Sequence, residues 1–245
     1  EEEIITIDES IANEIQSPQF DRFKYFHFFY PEIKSFIDED SDQKFEMPKE
    51  FIKNREIGEN DNYICNLIRN DSIDEFISFC NQKNLFLSTQ IESSIYETNP
   101  FLMTNKPSLI EYSAFFGSIQ IFRYLFYNKA KYSPSSLWLY SIHGNKPELF
   151  NFLEENNIKP TDEFYKKCLL ESIKCHHIDI TNYFEANYIN NANSNEYKNK
   201  VLKKSFKYRN YMFFDNDLNS KNIMFYSCMF NYITIVKILL NTRKV

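Results

Sequence analysis

Ser108-Leu109-Ile110-Glu111-Tyr112-Ser113-Ala114-Phe115-Phe116-Gly117-Ser118-Ile119-Gln120-Ile121-Phe122-Arg123-Tyr124-Leu125-Phe126 reads as two short helices around a tight turn at Gly117. Apolar residues recur at i, i+3 and i+4 on both sides of that glycine, the spacing of one apolar stripe per helix. Residues 222–240 repeat the pattern. Met224 falls where Ile110 stands, Ser227 on Ser113, Cys228 on Ala114, Asn231 on Gly117, and Ile233, Ile235 and Leu239 on Ile119, Ile121 and Leu125. Self-similarity at this length is the signature of a repeat architecture, in which one helix pair cannot bury its stripe alone and neighbours must cover it.

The same punctuation runs through the chain. Asp71, Gly117, Asn145, His176, Arg209 and Asn231 each close one apolar segment and open the next, at steps of 46, 28, 31, 33 and 22 residues. Ile64, Leu67 and Ile68 precede Asp71, and Ile73, Phe76, Ile77 and Phe79 follow it. Trp138, Tyr140, Ser141 and Ile142 precede Asn145, with Pro147 at a first-turn position that tolerates it. Leu169, Ser172 and Ile173 precede His176; Ile178, Ile180, Tyr183 and Phe184 follow. The long first step holds an insertion at about residues 81–107, ending in the breakers Asn99-Pro100 and Lys106-Pro107. The unit around Arg209 is degenerate. Val201, Leu202, Ser205 and Phe206 make a first helix, whereas the segment beginning Tyr211-Met212-Phe213-Phe214 is stopped by Asp215-Asn216-Asp217.

Residues 1–54 do not follow the beat. Residues 4–16 form one amphipathic helix with Asp8 or Ser10 near its start, residues 22–30 are dense in aromatics, and Asp38-Glu39-Asp40-Ser41-Asp42 reads as an exposed acidic linker. A cap over the first repeat and a separate interaction module both fit this region. The chain stops at Arg243-Lys244-Val245 directly after a well-formed unit, and further repeats are expected beyond it.

Composition narrows the class. The 245 residues are 43% hydrophobic and 25% charged, a composition that folds. Only three glycines argue against glycine-rich phosphate loops. A net charge of −6 and a pI near 5.4 argue against a dedicated nucleic-acid binder. Five scattered cysteines without a CxxC pair read as reduced thiols of a cytoplasmic protein, and no run of about 18 apolar residues suggests a membrane span.

These units resemble ankyrin repeats. Residues 108–126 follow the T-P-L-H-L-A-A-x-x-G-H-L-E-I-V-x-x-L-L pattern, with Ser108 for Thr, Leu109 for Pro, Ser113-Ala114 for the alanine pair and Gly117 for the turn glycine. The stretches at 57–61, 110–117, 141–148 and 173–177 look more closely like the divergent ankyrin-like proteins, with an N-terminal region of unknown function, that are expanded in parabasalid flagellate protists. The resemblance covers about residues 55–245 well and 1–54 loosely. The chain lacks the TP dipeptide, most turn glycines and the GADVN-type loops, which moves the weight from finger-like loops to the helices.

The expected fold is therefore all-α: an ankyrin-like helical-hairpin solenoid with a helical N-terminal region. Residues 1–54 form the cap or interaction region. Residues 55–245 form the repeat domain of about five helix pairs, one degenerate near 196–214. The resemblance implies a non-catalytic scaffold that binds a protein partner through its concave face. In the ankyrin register that face is lined by Arg69, Asn70, Phe115, Phe116, His143, Lys174, Met229 and Phe230. A structural component of a cytoskeletal or axonemal assembly, in contact with tubulin-containing filaments, is the alternative. No cofactor is expected.

Direct chemistry is sparse. There is no GxSxG and no HExxH. Cys175-His176-His177 invites a metal, but adjacent side chains diverge and no second ligand pair stands nearby in sequence, so turn and packing roles explain them and no metal site is assigned. Lys203, Lys204, Lys207 and Arg209 are the one compact basic cluster. It is either a solvated helix face or a patch for an anionic partner.

Overall fold

A computed structural model describes residues 7–17, 26–37, 45–188, 195–213 and 220–242. The described residues are helical, with no extended strand. No helix among them is long and apolar enough to cross a membrane. The chain divides into two compact units: Glu1–Leu67 with Thr89–Pro107, and Ile68–Ser88 with Ser108–Val245.

The smaller unit contains α1 (Glu9–Gln16), α2 (Tyr30–Ile33), a 3-10 turn (Lys34–Phe36), α3 (Phe51–Ile57) and α6 (Pro100–Thr104). Asp8 caps α1 by accepting a hydrogen bond from the Ile11 amide at 2.9 Å. Ala12, Ile15, Phe26 and Ile33 form its buried cluster. The sequence reading drew its boundary at 54/55 and treated 81–107 as an insertion in the repeats. In the structure most of that insertion is tied to residues 51–61. The Phe51 and Tyr96 rings meet at 5.6 Å. The Asn60 side-chain amide donates to the Glu92 carbonyl (2.8 Å) and the Ser94 hydroxyl to Asp61 (2.7 Å).

Helix α4 (Tyr63–Arg69) spans the division between units, and α5 (Ile73–Gln82) follows it. The larger unit continues with α7 (Leu109–Phe116) and α8 (Ile119–Tyr127), α9 (Pro134–Gly144) and α10 (Pro147–Glu155), and α11 (Asp162–Lys174) and α12 (Ile178–Tyr188). After α13 (Asn195–Lys207) and a 3-10 turn (Tyr211–Phe213) come α14 (Ser220–Met229) and α15 (Ile233–Thr242). Where the sequence shows a degenerate unit, the described chain has one helix and one short turn. Phe214 and the acidic stop lie outside the described residues.

All six punctuating residues adopt positive φ: Asp71 (50°), Gly117 (68°), Asn145 (48°), His176 (61°), Arg209 (58°) and Asn231 (60°). Each ends a first helix in the left-handed conformation. With t as the turn residue, its amide bonds the carbonyl of t−3, and at four turns the next amide bonds that of t−4. The second bond runs from Ser118 to Ser113 (2.9 Å), His177 to Ser172 (3.0 Å), Asn210 to Ser205 (2.9 Å) and Tyr232 to Ser227 (2.8 Å). These bonds hold His176 and Arg209 in a conformation that costs an ordinary side chain roughly 1–2 kcal/mol. A second series ends the helices that follow: Asn84, Lys129 and Asn157, at φ 47°, 59° and 54°. The sequence reading missed these. Their signal is the apolar residue directly after each, Leu85, Ala130 and Ile158, which accompanies such helix ends.

A serine recurs at t−4. Ser113, Ser141, Ser172, Ser205 and Ser227 are all fully buried. The first four turn their hydroxyls back onto a carbonyl of their own helix at 2.8–2.9 Å. A small side chain there lets consecutive first helices approach, and the internal bond removes the cost of burying its oxygen. Helix α7 packs on α9, α9 on α11, α11 on α13 and α13 on α14.

The turns also stack. The side chain at t+1 donates to the carbonyl at t−3 of the preceding turn: Ser118 to Ile68 (2.5 Å), Asn210 to Ile173 (2.9 Å) and Tyr232 to Phe206 (2.6 Å). Asp71 instead accepts from the amides of Gln120 and Ile121, both at 3.0 Å, and so caps the N-terminal turn of α8. Between α7 and α9 a glycine replaces the hydrogen bond. A Cβ on Gly144 would stand 2.3 Å from the Ala114 carbonyl oxygen.

Candidate functional site

Residues at t−5, t−2 and t−1 of consecutive first helices share one face because 3.6 residues per turn bring them together. In the larger unit this register produces a row of touching side chains. Arg69 donates to the Tyr112 hydroxyl at 3.0 Å, and its guanidinium lies 5.9 Å from the Phe116 ring centre. Phe116 contacts Phe115 at 5.0 Å, and Phe115 stacks on the His143 imidazole at 4.6 Å and 22°. His143 Nε2 lies 3.2 Å from Glu171 Oε1. Lys174 Nζ donates to the same oxygen at 2.7 Å and stands 6.0 Å from the Tyr208 ring. Lys204 and Lys207 flank that ring at 5.2 and 5.4 Å.

Arg69, Phe115, Phe116, His143 and Lys174 of the expected face are thus joined, through Tyr112, Glu171 and Tyr208, which the sequence reading did not place on it. Phe115 is buried, so it supports the face rather than offering itself. Arg69, Phe116, His143 and Lys174 are half-buried and Asn70 is exposed. Met229 is exposed and Phe230 half-buried, the latter stacked on Tyr226 at 6.5 Å. Of the basic cluster, Lys204 and Lys207 converge on Tyr208; Lys203 and Arg209 are exposed.

The centre of the row is its most polar part. Burial pushes the Glu171 carboxyl upward, but hydrogen bonds from His143 and Lys174 outweigh it and hold the group down at about 2. Burial first, and then the Glu171 charge, push the Cys175 thiol up to about 12. It is therefore a protonated thiol, not an activated nucleophile. Cys175 Sγ lies 3.5 Å from His143 Nδ1 and 3.9 Å from Nε2. His143, Glu171 and Cys175 can each place one ligand atom within 4.8 Å of the others. The sequence triplet does not act as a unit, since His176 Nε2 is spent on the Tyr208 carbonyl at 2.8 Å.

The smaller unit has a pocket lined by Phe28, Phe29, Ile95, Glu97, Pro100 and Met103. Beside it the Arg55 guanidinium pairs with both Glu32 carboxylate oxygens at 2.7 and 2.9 Å and lies 5.0 Å from the Phe28 ring centre. Comparison with family models, with curated proteins and with solved structures finds no match for this chain.

Proposed function

We propose that this protein is a non-catalytic protein-interaction scaffold, with an ankyrin-like solenoid of helical hairpins whose concave face is the row running from Arg69 to Lys207. The observation that carries the reading is the row's continuity. Side chains at one register position of successive hairpins touch each other and expose a mixture of aromatic, cationic and amide groups. Interfaces draw their anchors from aromatic residues and arginine. A row held by ring stacking and ion pairs presents them with little ordering left to be done on binding.

The test is affinity capture from native-cell extract, divided into salt-soluble and filament fractions, with partners identified by mass spectrometry. Wild type is compared with a Phe116→Asp, Lys207→Glu, Met229→Asp variant and with Tyr127→Asp, a change at an exposed position of a second helix. Loss of a specific partner in the triple variant alone supports the face. Recovery of that partner in the filament fraction assigns the protein to a cytoskeletal assembly rather than to a soluble adaptor. A partner list unchanged by the triple variant removes the assignment.

A further inference from the structure

We propose that His143, Glu171 and Cys175 form a site for a divalent cation of the zinc class, which clasps α9 to α11 in the middle of the row. Three observations support it. The ligand atoms come from two neighbouring helix–turn segments, and the stacking of first helices brings them within 4.8 Å of one another. Their spacing approaches that of a tetrahedral site. Bond lengths of about 2.0 Å to nitrogen and oxygen and about 2.3 Å to sulfur place N···O edges near 3.3 Å and N···S edges near 3.5 Å. The corresponding separations from His143 Nε2 are 3.2 Å to Glu171 Oε1 and 3.9 Å to Cys175 Sγ. The donor set also matches the ion. A thiolate, a carboxylate and a neutral imidazole together carry two negative charges and suit a borderline-soft divalent metal.

The surroundings fit the same role. Phe115 fixes the plane of the His143 ring by stacking on it. Lys174 donates to Glu171 Oε1, the oxygen the cation would take, at 2.7 Å, so binding displaces the ammonium from that atom and leaves Oε2 to accept from it. All three residues are half-buried, and three protein ligands leave a fourth position for water. Binding releases one proton, the Cys175 thiol becoming a thiolate as the metal–sulfur bond forms.

Tag-free, reduced full-length protein is titrated with Co2+, whose thiolate complexes absorb in the near ultraviolet, followed by Zn2+ as competitor. The expected result is saturation at one equivalent, a thiolate-to-cobalt band and its loss on adding Zn2+. Cys175→Ala abolishes the band. His143→Phe, which keeps the ring stacking on Phe115, weakens binding by more than the roughly tenfold that outer-shell changes cost. Cys228→Ala removes the exposed thiol and changes neither result. Absence of a band in wild type, or a band that survives Cys175→Ala or follows Cys228, overturns the proposal. Because the titration reads metal directly, a protein that fails to capture a partner can still pass it.

Discussion

Replacing Gly144 with alanine sets helix propensity and hairpin stacking against each other with opposite signs. Gly144 is the last residue of α9 and its φ is not left-handed. Propensity alone therefore favours alanine by up to about 1 kcal/mol. The added methyl, however, would stand 2.3 Å from the Ala114 carbonyl oxygen and 3.1 Å from the Gly117 amide nitrogen. An ordinary carbon–oxygen contact is about 3.3 Å or longer, so α7 and α9 must separate by roughly 1 Å. Overpacking costs typically 1–3 kcal/mol. A backbone carbonyl cannot rotate aside, which puts this case at the upper end. The net expectation is a loss of about 2 kcal/mol, or roughly 4–8 °C in Tm for a chain of this size. Urea and thermal unfolding are read through Trp138, the only tryptophan, which lies buried in α9. Gly117→Ala is the comparison. Its φ of 68° makes alanine costly by about 1 kcal/mol; the flexible Lys146 side chain can move out of the way, and the Gly144 carbonyl oxygen at 3.1 Å needs to give by only a few tenths of an ångström. If Gly144→Ala is as stable as wild type or more so, the close stacking of α7 on α9 is wrong.

Three further outcomes follow from single sites. Asp71→Ala removes the two hydrogen bonds that cap α8 and puts alanine at φ 50°, and should cost about 2–3 kcal/mol, with Asp71→Asn costing less because one acceptor and the tolerance of the left-handed conformation remain; chemical denaturation measures both. Glu171 has a folded pKa below its unfolded value, so its contribution is present above about 4.5 and is lost as pH falls toward about 2. Acid titration of Glu171→Gln should therefore show a flatter loss of stability across that window than wild type. Trp138, whose indole N–H donates to the Ile158 carbonyl at 2.6 Å, should emit at short wavelength in the native protein. Trp138→Phe should destabilise the larger unit by about 1–3 kcal/mol, because that carbonyl is left buried without its donor.

Most of the helical-hairpin order was legible because a helix ending in a left-handed residue leaves a local mark. Asp71, Gly117, Asn145 and Asn231 are residue types suited to that conformation. His176 and Arg209 carried no such mark and were found by spacing alone. Asn84, Lys129 and Asn157 end the second helices and so fall between the beats of the first series, where spacing does not point to them. The association of Thr89–Pro107 with the smaller unit could not be read, since it depends on long-range bonds such as that from Asn60 to the Glu92 carbonyl. The face shows the same limit. Residues at t−2 and t−1 follow from one helix's register. Which t−5 side chain of the next helix meets them depends on how neighbouring helices stagger, and so Tyr112 and Glu171 could not be placed; Tyr208, at t−1, belongs to the degenerate unit. The stagger is also why Cys175 was noticed beside the wrong partners. It faces a histidine 32 residues away, not the two that follow it.

The most direct measurement of the central claim is site-specific photocrosslinking in native-cell extract. A benzophenone amino acid is placed in turn at Phe116, Phe230, Tyr127 and Phe28. The account predicts adducts with one protein partner from positions 116 and 230, and none with that partner from 127 or 28. Adducts confined to 127 or 28 would contradict it and place recognition on the second helices or on the smaller unit.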